Sequence, residues 1–323
     1  MLPAVWYPVL SSKDLKPGRP LGVQRLGERH VFWRDAQGQV ASAFDRCPHR
    51  GVALSRGQVR RDGCIQCPYH GFAFNPAGDC VSMPVNGPDA RIPKGFELHA
   101  RPVTEAHGLI WLWSGEPREA YPEPPSFEEM AEPYHAEVQD TWPLNHVRLT
   151  ESFFDVHHFR WVHGSTFPGA GEMIDDFELE VDEEAGHILT RGTLRHADKP
   201  GGLPWRVEMR FPNLVLLVLT PKVKGVAFAT PISETESWVY IRYQQEYLSL
   251  PLLSPLIAWL TCQLELRLVQ RRQDLPLMLT QEPKLPTPGC DRLVRADAGT
   301  AAYLRLRARR LRAKENAHPA EAS

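Results

Sequence analysis

Two short pairs of metal-ligand side chains stand out along the chain: Cys47-Pro48-His49, followed by Arg50-Gly51, and Cys67-Pro68-Tyr69-His70, followed by Gly71. Thiolates suit zinc and iron–sulfur centres, and imidazoles suit zinc, copper and iron, so two of each fit one tetrahedral zinc or one two-iron cluster. The spacing is Cys-x-His in the first pair and Cys-x-x-His in the second, so each of two loops offers one sulfur and one nitrogen. Gly51 and Gly71 suit tight loops around a buried centre. Cys64, Cys80, Cys262 and Cys290 share no such pattern and read as packing residues.

A second constellation lies in Asp155-Val156-His157-His158-Phe159-Arg160-Trp161-Val162-His163, with the spacing Asp-x-x-His-x-x-x-x-His. The stretch Thr150 to His163 reads as a helix, on which Asp155 and His158 share a face. His158 and His163, however, lie about 140° apart on an ideal helix, so the helix must end or distort before His163. Gly164 supports an ending there. Two histidines at a helix end and one carboxylate from elsewhere make the facial triad of a non-haem iron oxygenase, with open positions for O₂ and substrate. His157 lies about 100° around from His158 and reads as a surface or supporting residue. For the carboxylate, Asp274, Glu265 and Asp291 are nearly equal on spacing alone. Pro276 should kink the chain just beyond Asp274.

The elements that must hold these groups follow from the patterning. Leu21 to Leu26, His30 to Arg34, Gln39 to Phe44 and His107 to Trp113 are rich in β formers and broken by turns. A proline-rich connector, Ser114 to Pro133, comes next. Met173 to Tyr243 then reads as a run of strands, with Glu183-Glu184-Ala185-Gly186 as a hairpin turn. Leu253, Ile257, Leu260, Leu264 and Leu268 recur at helical spacing and predict a long amphipathic helix toward Gln281. Arg267, Arg271, Asp274 and Met278 form a stripe beside them. Trp205, Met209, Phe211, Phe228, Trp238 and Tyr240 read as core. A basic helix, Ala301 to Lys314, is expected to present a solvated face.

Composition narrows the class. The 323 residues carry 37 Lys and Arg against 39 Asp and Glu, a formal net charge of −2, which gives no general attraction to nucleic acid or anionic lipid. A charged fraction of 24% and a hydrophobic fraction of 42% exclude a disordered chain. Met1 to Leu10 has no basic start leading into an apolar run of signal length. Tyr247 to Cys262 is broken by Pro251 and Pro255 and falls short of the ~20 residues that span a bilayer. The expectation is a cytoplasmic chain with no membrane span, no nucleic-acid partner and reduced cysteines. It has no Gly-x-Gly-x-x-Gly, so any reductase should be a separate polypeptide.

Together CPHRG, CPYHGFAF with its trailing GDC, ESFFDVHHFRWVH and QDLPLMLTQEP resemble the α subunits of Rieske non-haem iron oxygenases, the aromatic-ring-hydroxylating oxygenases, of the single-subunit type. The resemblance covers most of the chain. It implies an α+β architecture: an all-β Rieske [2Fe-2S] domain over residues 1–116, then a catalytic domain over 117–323 with a curved antiparallel sheet over a long C-terminal helix, helix-grip or START-like. It implies a Rieske cluster held by Cys47 and Cys67 on one iron and His49 and His70 on the other. It also implies a mononuclear Fe(II) at His158, His163 and Asp274, with O₂ as co-substrate. Asp155 holds the position that couples the two centres across subunits of a head-to-tail homotrimer. Electrons from NAD(P)H are expected only through a separate reductase, with or without a ferredoxin. Hydroxylation or oxidative demethylation of a small organic substrate is expected, ahead of cis-dihydroxylation or desaturation; an electron carrier or ligand-binding protein with an inactive second domain is the remaining alternative. Two positions depart from the family's habit: Phe72 where Trp is frequent, and Ser152 where Asn is frequent. Val52 and Tyr69 stand where respiratory Rieske proteins carry a loop disulfide.

Overall fold

The computed structural model describes residues 1–317 except 88–90, 132–134, 168, 221–222 and 246–252. The first part of the apolar stretch Tyr247 to Cys262 therefore lies outside the described residues. The chain divides into two compact units, Pro3–Pro124 and Pro125–Ser323, with the division inside the proline-rich segment.

The first unit is built of ten strands: β1 Trp6–Ser11, β2 Leu21–Arg25, β3 Glu28–Arg34, β4 Val40–Phe44, β5 Gln58–Val59, β6 Ile65–Gln66, β7 Ala73–Phe74, β8 Cys80–Ser82, β9 Val103–Ala106 and β10 Leu109–Trp113. They form three antiparallel sheets, ordered β1-β10-β9, β2-β3-β4 and β5-β6-β7-β8. The alternation that makes β3 a strand sends Val31 and Trp33 into one core, with Cys47, Cys67, Phe72 and Phe74. Phe32 goes to the other, with Tyr7, Ile110 and Leu112. Residues from β3, β4 and the small third sheet share the first of these cores, with one Cys-His loop following β4 and the other joining β6 to β7.

His30 points from β3 into this unit, 2% exposed, with its ring stacked on Phe44 at 5.5 Å. Burial, with help from the Arg101 charge, pulls its pKa down from 6.5 to about 4. The folded state therefore refuses a proton that the unfolded state accepts, so stability is full above pH 6.5 and is lost as pH falls toward 4. Between pH 7 and 4 the parent should lose up to about 3 kcal/mol more than His30→Phe, by pH-dependent unfolding of the cluster-loaded chain. Parallel pH curves would refute this.

The second unit holds one seven-stranded antiparallel sheet in the order β11-β17-β16-β15-β14-β13-β12. Its strands are β11 His135–Trp142, β12 Met173–Asp182, β13 His187–Arg195, β14 Gly202–Arg210, β15 Leu214–Thr220, β16 Val223–Pro231 and β17 Ser237–Gln245. With its helices it completes the α+β architecture. Of the six aromatic or Met positions read as core, Trp205, Met209, Phe228, Trp238 and Tyr240 are buried and Phe211 packs against the core at partial exposure.

Helices α1 His146–Phe154 and α2 Phe159–Val162 precede the hairpins, and α3 Ser254–Leu264, α4 Leu275–Met278 and α5 Ala298–Ala317 follow them. Between α3 and α4 the helix continues as a π-helical stretch, Glu265–Asp274. Here one expectation is overturned. Leu253, Leu260, Leu264 and Leu268 face outward, 46–57% exposed, and Ile257 is half-buried. The inward face is instead Ser254, Ala258, Cys262, Leu266 and Val269. Small residues let the helix close on β11, where the Cys262 thiol reaches the Ala136 carbonyl at 3.3 Å. Periodicity finds a stripe but cannot say which stripe a sheet will take when the other carries small side chains.

Candidate functional site

In the first unit the two Cys-His loops repeat one local design. The Cys47 N–H donates to the Val52 carbonyl at 2.9 Å and the Cys67 N–H to the Phe72 carbonyl at 2.8 Å. The chain then turns back through Gly51 and Gly71 at φ 73° and 74°, a conformation strained for any side chain but glycine. Both cysteines are 2% exposed, while His49 and His70 are half-buried. The two histidines bring their Nδ1 atoms to 3.1 Å. Phe72 lies under the His49 ring, centroids 5.0 Å apart and nearly parallel, so a phenyl serves as the floor here. Burial, with Cys67 beside it, pushes the Cys47 thiol up to about 11, a cost that a bound cation would remove by taking the thiolate. Two inner sulfurs and two convergent outer imidazoles are the donor set of a two-iron cluster with mixed ligands.

In the second unit, Asn145 caps α1 by accepting the Val147 N–H at 2.9 Å. The helix ends at Phe154, nine residues before His163 and earlier than periodicity alone suggests. Asp155 is extended and its carboxylate accepts the His158 N–H at 3.2 Å, starting the short α2. Val156, 1% exposed, anchors the break in the core. A break at this point, and not a continuous helix, lets the two rings converge: His158 Nε2 and His163 Nε2 are 3.2 Å apart.

Asp274 completes the set. Its Oδ1 lies 2.9 Å from His163 Nε2 and 3.7 Å from His158 Nε2. The π-helical stretch explains how it gets there. On an α-helix, Glu265 and Asp274 would be about half a turn out of phase; at about 4.4 residues per turn they return to one face. Glu265, Val269, Gln270 and Asp274 all line the same cavity. Arg271 pins the outer face of the stretch to β11 through two hydrogen bonds to Asp140, at 2.6 and 2.7 Å.

The far sides of the two rings are also held. His158 Nδ1 is 3.3 Å from Asp155 Oδ1, and His163 Nδ1 is 2.7 Å from Gln273 Oε1. Nδ1–H donation to these oxygens leaves both Nε2 lone pairs directed at Asp274. Asp155 is largely desolvated, which favours its neutral acid. Bonding to His158, aided by the charge of His157, wins, and its carboxyl is held below the usual range. His157 is half-exposed, its Nδ1 3.2 Å from Asp155 Oδ1. Sequence reasoning misses Gln273, for which a position beside a candidate ligand is the one available signal.

The three groups open on a cavity of about 710 Å³. Strand register makes its sheet wall: Val215 pairs with Ala227 and Ala227 with Ile241, while Leu217 pairs with Gly225 and Gly225 with Tyr243. Each set crosses three strands on one face. Opposite stand α1 residues, including Ser152, whose hydroxyl donates to the Leu149 carbonyl at 2.8 Å. Arg148 reaches Glu151, Asp291 and the Pro283 carbonyl at 3.0, 2.5 and 3.1 Å. Asp291 is thereby an ion-pair partner, and Glu265 lines the cavity wall at the opposite end of the π-helical stretch from Asp274.

Residues 5–98 match the Rieske [2Fe-2S] domain. The chain is 33% identical over 210 residues to the oxygenase component of dicamba O-demethylase from Stenotrophomonas maltophilia, covering 64% of this chain and 58% of that protein. It is 33% identical over 182 residues to the oxygenase subunit of 3-chlorobenzoate-3,4-dioxygenase from Comamonas testosteroni (54% and 40%). It is 32% identical over 204 residues to the chloroplastic protein TIC 55 from Arabidopsis thaliana (61% and 38%). The chain thus spans less than two thirds of each of these relatives. The crystal structure of dicamba monooxygenase bound to dicamba superposes with a TM-score of 0.75 over 98% of this chain and 99% of that one, at 21% identity, and so shares its fold.

Proposed function

From a chain that carries a Rieske [2Fe-2S] domain and is similar in sequence and fold to Rieske oxygenase α subunits, we infer an oxygenase component that hydroxylates or oxidatively demethylates a small organic substrate. The observation that carries this reading is the convergence of His158, His163 and Asp274 on the wall of a large, mainly apolar cavity. We assign Cys47, His49, Cys67 and His70 to a Rieske cluster and the triad to a mononuclear Fe(II). When bound, these groups supply single electrons and the activation of O₂.

The chain's own residues do the rest. Asp155 and Gln273 fix the ring orientations of His158 and His163, so that neither nitrogen must reorganise. Val215, Leu217, Ala227, Val239 and Ile241 keep water from the substrate's reacting carbon. Asp155 couples the two centres, each cluster serving the neighbouring copy of a homotrimer. A separate reductase, with or without a ferredoxin, is the electron source. The six cysteines are not paired in disulfides, and a reducing compartment such as the cytoplasm fits this reading. Among the described residues no helix is long and apolar enough to cross a membrane.

Iron analysis tests the assignment. Three irons and two acid-labile sulfides per chain are expected, and two irons would leave a carrier with an inactive second domain. With ¹⁸O₂, hydroxylation puts one labelled atom in the product, and a desaturated, unlabelled product would overturn the insertion reading.

A further inference from the structure

The cavity wall holds one polar set that neither candidate metal centre uses. Glu265 stands at the start of the π-helical stretch, with the Tyr243 hydroxyl on β17 beside its carboxyl. The Gln270 amide N–H donates in turn to the Tyr243 oxygen at 3.3 Å. With its oxygen accepting from Gln270, the Tyr243 hydroxyl keeps its one O–H to donate toward the Glu265 carboxyl beside it. Gly225 lies opposite Tyr243 in the register, and a Cβ there would make ordinary contact with the ring at 3.6 Å. All four residues line the cavity, among Val215, Leu217, Ala227, Val239 and Ile241.

The charges of the lining point the same way. Besides the triad histidines, Arg148 is the cation among the described lining residues, and its guanidinium is committed to Glu151, Asp291 and a carbonyl. The acids Glu151, Asp155, Glu265, Asp274, Asp291 and Asp297 all face this space. Apart from the iron that the triad would hold, an anionic ligand therefore finds no uncommitted positive side chain among the described lining residues, while a ligand N–H or O–H finds an acceptor.

We propose that Glu265, positioned by Tyr243 and Gln270, is a specificity-determining acceptor that selects neutral or cationic substrates bearing an N–H or O–H donor and rejects carboxylates. The proposal rests on the oxygenase reading of the same cavity and adds the substrate class. Burial pushes the Glu265 carboxyl up, so its ionised form is under-solvated and gains most from a donor or a cation. Sites built to hydrogen-bond a substrate N–H or O–H discriminate strongly, because a mismatched ligand leaves the buried group unpaired.

The test is calorimetric binding to the iron-loaded chain, with a panel of small aromatic amides and phenols, each beside its carboxylate counterpart, such as 4-methoxybenzamide and 4-methoxybenzoate. The donor-bearing member should bind about tenfold or more tightly than the carboxylate. In Glu265→Gln, which keeps the shape and replaces an acceptor oxygen by a donor, that ratio should fall at least about tenfold. Tyr243→Phe should shrink it too, and gives the same readout should Glu265→Gln not fold. Carboxylates binding as tightly as their partners, a ratio unchanged in both variants, or no binding by any member would overturn the proposal. Iron content and ¹⁸O labelling report on the oxygenase reading independently.

Discussion

Asp274→Ala should hold two irons per chain where the parent holds three, and its turnover should fall by about a thousandfold or more. The two histidines alone are neutral donors, and the carboxylate supplies both the third position and the negative charge that offsets a divalent cation. Its Oδ1 stands 2.9 Å from His163 Nε2. Losing several kcal/mol of positioned charge converts to that rate at about 1.4 kcal/mol per tenfold. The contrast lies in the rival carboxylates. Asp291 is bound to Arg148, and Glu265 stands beside Tyr243. Asp291→Asn and Glu265→Gln should therefore both retain three irons. Iron and sulfide analysis, with the EPR signal of the reduced cluster as the internal standard, decides. Three irons in Asp274→Ala, or two in either control, would move the ligand elsewhere.

Asp155→Ala should keep both metal signals and lose turnover by about a hundredfold or more. Its carboxylate touches three groups at once: the His158 N–H, His158 Nδ1 and His157 Nδ1, at 3.2, 3.3 and 3.2 Å. None of these is the metal-facing nitrogen, and Val156 and Phe159 hold the segment in the core independently. Removing a carboxylate that supports a ligand histidine costs about 10–100-fold in affinity or activity; loss of coupling between the centres adds to that. Single-turnover experiments separate the two effects. With a pre-reduced cluster, oxidation by O₂ in the presence of substrate should slow in step with product formation, while iron content stays at three. Iron loss at equal turnover per iron would reduce Asp155 to a support for His158. Unchanged turnover would remove its role altogether.

Much of this site is legible in the sequence because its ligands come in short local motifs. Cys47 and His49, Cys67 and His70, and His158 and His163 are each brought near one another by a few residues of loop or helix end. Their residue types and spacing therefore carry most of the geometry. The sheet is legible for a similar reason: alternation in strands such as Gly202–Arg210 assigns Trp205, Val207 and Met209 inward without reference to the rest of the chain. Periodicity finds the long helix but not its buried face. The stripe of Leu260, Leu264 and Leu268 is more apolar than the Ala258 and Cys262 face that the sheet accepts.

The chain by itself determined which side chains are candidate metal donors, two thiols and four imidazoles at short spacings, and that an all-β part is followed by a sheet and a long helix. Tertiary structure decided three things that no local pattern contains. It brought Asp274, and not Glu265 or Asp291, to the two histidines, because the end of the π-helical stretch sets the Asp274 carboxylate 2.9 Å from His163 Nε2 while Arg148 occupies Asp291. It recruited Gln273 to His163 across 110 residues of sequence. It also set Tyr243 opposite Gly225 and beside Glu265, because strand register and helix docking meet at that wall. The physical reason is the same in each case: hydrogen bonds and packing between segments distant in sequence depend on which faces meet, and helical or strand periodicity leaves that choice open.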